Sequence, residues 1–85
     1  MKSTQQQIDE VISCFPPKYK EGFTSADIGI LVSMFPEMNK DCFNNALTGI
    51  TAKLVCGEIV IYEHDVRTAL RCGIEGRDMS MEEFD

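Results

Sequence analysis

The chain has 85 residues, 44% of them apolar and 26% charged, with a net charge of −6. That length leaves room for one small domain, and that apolar share excludes a wholly disordered polypeptide. There is no run of about eighteen apolar residues and no charged-then-apolar start, so neither a membrane span nor a secretory signal is readable, and a cytoplasmic location is expected.

In chain order, Ser3 or Thr4 can cap a first helix, with the early glutamines supplying the capping-box partner. Ile8, Val11, Ile12 and Phe15 form its apolar stripe, and Pro16-Pro17 ends it. A loop to Gly22 carries Lys18, Tyr19 and Lys20, and Phe23 is placed to begin a very short strand. Thr24 then caps a second helix over residues 25–35, and Asp27 can reach back to complete the box while setting a negative charge where the helix dipole favours it. Ile28, Leu31, Val32 and Phe35 face inward, whereas Ile30 and Met34 point out. Pro36 stops the helix, because proline disfavours the helical conformation of its predecessor.

Asn39 caps a third helix to about residue 54, inward at Phe43, Ala46, Leu47, Ile50 and Leu54. Asp41, Asn45, Thr48, Gly49 and Ala52 point away, with Asn44 at the edge and Lys40 and Lys53 at the flank and end. A glycine inside a helix costs about 1 kcal/mol against alanine, so Gly49 marks either a close-approaching partner backbone or a tolerated weak spot. Two amphipathic helices this close in sequence pack as a helical hairpin or helix-turn-helix.

Val55-Cys56-Gly57 closes the third helix, and residues 58–62 make the strongest strand, rich in β-branched and aromatic side chains. Residues 66–72 have two readings. Alternation makes them a returning strand that completes a C-terminal β-hairpin, with His64 in the turn; alternatively Asp65 caps a short fourth helix bearing Val66, Ala69 and Leu70 and stopped by Gly73. Under either period Arg67 and Arg71 share a face, the best basic patch in the sequence. The expected organisation is a domain over 1–74 and a flexible acidic tail over 75–85, where five acids face Arg77 for a net of −4, leaving −2 of the total −6 elsewhere.

Little here suggests chemistry. The four cysteines (14, 42, 56, 72) form no close pairs of the zinc-ligand kind and read as free thiols, so no metal and no cofactor is expected. Asp9 and Glu10 diverge around a helix and share no site, and His64 has no nucleophile or orienting group in view. No catalytic residues are assigned, and the chain reads as a non-enzyme.

The order helix, short strand, helix, helix, strand, turn, strand over residues 4–73, together with the entry Gly22-Phe23-Thr24-Ser25-Ala26-Asp27-Ile28, resembles the winged helix-turn-helix family. The resemblance implies an α+β, three-helix winged-helix-like domain whose third helix enters the major groove and whose hairpin wing touches the backbone or minor groove. Carried over, it implicates Asn44, Asn45, Thr48 and Lys53 on the helix and Arg67 and Arg71 on the wing. The function implied is a small DNA-binding regulator of transcription with double-stranded DNA as its partner, including the form in which a homodimer reads paired half-sites. The alternative is an acidic adaptor or inhibitor of the phage or mobile-element type, acting through a protein partner, which the net charge, the acidic tail and outward Ile30 and Met34 favour.

Overall fold

The first three helices begin on the side chains their sequences offer. In the computed structural model, which describes residues 2–15, 22–52 and 61–84, α1 spans Thr4–Ile12. The Ser3 hydroxyl oxygen accepts the Gln6 amide at 3.2 Å, and the Ser3 amide donates to Gln6 Oε1 at 2.8 Å. The same reciprocal box opens α2 (Ser25–Met34): Thr24 Oγ1 accepts the Asp27 amide at 3.2 Å, and the Thr24 amide donates to Asp27 Oδ2 at 2.9 Å. At the start of α3 (Lys40–Ala52), Asn39 Oδ1 accepts the Cys42 amide at 3.1 Å. Each cap satisfies amides that the first helical turn leaves without an internal partner.

The stripes close over one core. Ile8, Ile12, Leu31, Phe43, Ala46 and Ile50 are buried, with Val11, Phe15, Ile28, Val32, Phe35 and Leu47 packed against them in part. Phe15, beyond the end of α1, meets Phe23 edge-on with ring centroids 5.4 Å apart, an arrangement that suits the aromatic quadrupoles.

The expected C-terminal β-hairpin is not formed. Glu63–Glu75 is a fourth helix, α4, and the domain is mostly helical rather than α+β. Among the described residues there is no sheet; Phe23 and Ile61 make a single antiparallel bridge, with the Phe23 amide donating to the Ile61 carbonyl at 2.7 Å. Residues 66–72 alternate superficially, but their burial follows the helical period: Val66, Ala69, Leu70 and Gly73 are all inside. Glu63 and Asp65 place negative charge at the positive end of the helix dipole, and Glu63 pairs with Arg67 one turn on. A strand over 66–72 would have exposed Ala69 and left its backbone groups to be matched by one neighbouring strand.

The fourth helix also differs from its expected short form. It starts before Asp65, which lies in its first turn, and it runs through Gly73 to end at Gly76, whose φ of 68° is the left-handed geometry that suits glycine after a helix. His64 is exposed in that first turn rather than at a hairpin tip. Beyond Gly76, the Arg77 amide donates to the Cys72 carbonyl at 3.0 Å, Met79 packs partly against the core, and Met81–Phe84 forms a 3-10 turn. Cys14 is exposed, Cys42 half-buried and Cys72 buried. The expectations for the Pro16-Pro17 stop, for Lys18, Tyr19 and Lys20, for Lys53 and Leu54, for the Gly57 helix end and for strand residues 58–60 lie outside the described residues.

Gly73 shows why α4 sits where it does. A Cβ placed there would lie 2.6 Å from both Cγ and Sδ of Met38 and 3.0 Å from Cβ of Phe43. The Asn39 amide, just before α3, donates to the Gly73 carbonyl at 2.9 Å. The start of α3 is thereby held against the last turns of α4, and among the described residues these two helices share the most extensive contact. Gly73→Val is expected to destabilise the domain by roughly 1–3 kcal/mol through overpacking, read as a lower urea midpoint. Met38→Ala in the same chain should cancel part of the loss, because it removes the clashing thioether.

Candidate functional site

Six residues were implicated by the sequence; five of them, all but Lys53, are among the described residues and fall into two groups. Asn44, Asn45 and Thr48 are exposed on α3. Asn44 and Thr48 stand one turn apart, and the Thr48 hydroxyl donates to the Asn44 carbonyl at 2.9 Å. Both line a groove of about 340 Å³ whose floor is Phe23, Ile28, Leu47 and Ile61 and whose rim includes Thr24 and Ser25. Asn45 lies outside this groove, and Lys53 outside the described residues. Among the described residues none that lines the groove is ionisable. An apolar floor with a hydroxyl and amide rim suits an apolar side chain or a small neutral group.

Arg67 and Arg71 sit on α4, not on a wing, and they face α1. The Arg67 guanidinium pairs with Asp9 and lies 3.5 Å from Glu63, while Arg71 Nη2 donates to Gln5 Oε1 at 2.6 Å. As the number rises on α4 it falls on α1, so the pairs form an antiparallel ladder between the two helices. The shared face read from the sequence is present, but its partner is the protein itself. Arg67 holds the Asp9 carboxyl below the ordinary aspartate range by its hydrogen bond, and Asp9 holds the guanidinium above its usual value in return.

The outer side of α2 is a different kind of surface. Ile30 and Met34 are 47% and 44% exposed, high values for large apolar side chains one turn apart. Only Leu31 of this largely apolar helix is fully buried. At its C-terminal end Met34, Phe35, Pro36, Glu37 and Met38 line a second groove of about 450 Å³ together with Gln7 and Ile74. Sequence reasoning found the outward pair Ile30 and Met34 but not this groove, because Gln7 and Ile74 come from α1 and α4 and no local pattern links them to Met34. Among the described residues no helix is long and apolar enough to cross a membrane.

No protein-family model, no curated protein and no solved structure matches this chain.

The ladder gives a pH dependence with a definite sign. Asp9 has a lowered carboxyl pKa in the folded state, so its contribution is present above the unfolded value near 3.8 and is lost as pH falls through the lower folded value. Wild-type protein should therefore lose thermal stability below about pH 4 more steeply than Asp9→Asn, as followed by circular dichroism melts. Equal slopes would show that the pair adds nothing.

Proposed function

We propose that this chain is a non-enzymatic protein-binding module whose contact element is α2. The observation that carries the reading is that a largely apolar helix buries only one side chain fully and leaves Ile30 and Met34 in solvent. Surface helices normally set charged and polar residues opposite the core-facing stripe. An exposed apolar face beside a groove is the usual mark of a surface that another molecule covers.

Charge supports a protein rather than DNA. The chain carries −6, and binding to duplex depends on cations that neutralise phosphates. The two arginines expected to supply them are engaged with Asp9, Glu63 and Gln5. Asn44, Asn45 and Thr48 remain exposed on α3, but the cation described on that helix is Lys40, in its first turn. Charge reversal at Arg67 and Arg71 would break the α1–α4 ladder, so a loss of duplex binding in that variant would report on folding.

The test is affinity capture at low salt with the wild-type chain and with Ile30→Asp/Met34→Asp. Both positions are partly exposed, so the variant should stay folded at a cost of roughly 1–2 kcal/mol from aspartate in the helix and at its C-terminal end, checked by a urea melt before capture. A protein retained by wild type, identified by mass spectrometry and lost from the variant, is the expected result. Retention of nucleic acid by both, seen as absorbance at 260 nm with no protein lost from the variant, would overturn it.

A further inference from the structure

Whatever α2 binds, we infer that Met38 is a modification site: a thioether that peroxide oxidises from the groove beside it, and whose sulfoxide loosens α3 from α4. Met38 stands between α2 and α3, just ahead of the Asn39 cap, and is 7% exposed. Its side chain fills the hollow over Gly73, since the place a Cβ would take there lies 2.6 Å from both Cγ and Sδ. The thioether is therefore part of the seam between α3 and α4. Yet Met38 also forms part of the wall of the groove of about 450 Å³, with Met34, Gln7 and Glu37 in the same lining. A groove of that size, with an amide and a carboxylate in its lining, has room and partners for water. Hydrogen peroxide is little larger and enters where water does. One side chain thus joins two helices and borders a wet groove.

The reaction needs no other group from the protein. The sulfur lone pair attacks one oxygen of hydrogen peroxide, and the O–O bond breaks as the S–O bond forms. The proton on the transferred oxygen passes to the departing one, which leaves as water. Sulfur is oxidised and the peroxide is reduced. The sulfoxide is polar where the thioether was apolar, and a buried oxygen without a donor is costly. Toward Gly73 the space is already taken, with Cβ of Phe43 3.0 Å from the same point that Met38 crowds. The oxidised side chain is accordingly drawn toward the water of the groove, and the hollow over Gly73 empties. An unfilled hollow between packed helices weakens their contact as a truncation does. The bond from the Asn39 amide to the Gly73 carbonyl, 2.9 Å long, lies directly beside it and loses its support.

The other methionines act as internal controls. Met34 and Met81 are 44% and 86% exposed, so peroxide reaches them first, and neither fills the hollow over Gly73. Met79 packs partly against the core. It is kept in the Met38→Leu variant, which separates its oxidation from that of Met38.

The experiment treats the whole chain with hydrogen peroxide, follows each methionine by peptide mass spectrometry and reads stability as the urea midpoint. Met34 and Met81 are expected to convert first and leave the midpoint in place. Conversion of Met38 should then lower it by about 1 M and speed hydrogen exchange at the Asn39 amide by roughly tenfold or more. Met38→Leu keeps the volume without the sulfur and should hold its midpoint under the same treatment. Entry through the groove leaves the Met38 conversion rate nearly unchanged by urea well below the midpoint, whereas entry by global unfolding makes it climb steeply. A steep climb would overturn the proposal, as would a Met38 still reduced after Met34 and Met81 are fully converted. Conversion of Met38 with an unmoved midpoint, or an equal fall of the midpoint in Met38→Leu, would do the same. All but the last of these readings use the wild-type chain, so they decide the matter even where the variant does not fold.

Discussion

The fold depends on how closely α3 and α4 meet at Gly73. Met38 and the base of Phe43 occupy the space a side chain would need, and the Asn39 amide closes on the Gly73 carbonyl beside them. One backbone group near the end of α4 therefore receives a donor from the residue that caps α3. This gives a partner to the carbonyl of buried Gly73, and an unmet backbone acceptor in an apolar interior costs about 1–3 kcal/mol. With α4 fixed there, Val66, Ala69, Leu70 and Cys72 are carried into the centre, and the other helices arrange their stripes around them.

The α1 side of α4 is held by different physics. Between these two helices lie buried Ile8 and Ile12 and the exposed ladder of Arg67 with Asp9 and Arg71 with Gln5. Partly exposed pairs of this kind contribute modestly to stability, but they fix the direction and register of two helices whose apolar stripes alone would accept several. The arginines belong to the internal construction of the domain, each side chain spent on a neighbouring helix or turn.

Much of this was legible in the residues. Ser3, Thr24 with Asp27, and Asn39 are helix starts by local hydrogen bonding, and each acts as the sequence indicates. The stripes of the first three helices and the outward placement of Ile30 and Met34 follow from period alone. The segment over 66–72 did not read clearly, because Val66, Thr68, Leu70 and Cys72 alternate while Val66, Ala69, Leu70 and Gly73 also keep helical spacing. What decides between them is tertiary: the bare surface of Gly73 is needed by Met38, and Ala69 is needed in the core. Arg67 and Arg71 were correctly placed on one face, yet sequence cannot say what a face looks at. The groove formed by Gln7, Met34 and Ile74 was invisible for the same reason, since its walls come from three separate helices.

The bridge between Phe23 and Ile61 has a kinetic meaning. Each of its residues stands next to a helix entrance, Phe23 before the Thr24 cap and Ile61 before Tyr62 at the head of α4. Helical turns assemble from neighbours, whereas this contact joins positions far apart along the chain and must wait for the intervening loop to close. The Phe23 amide, bonded to Ile61 and buried, is shielded from exchange while that contact holds, so its exchange rate reports how often the entrances of α2 and α4 part.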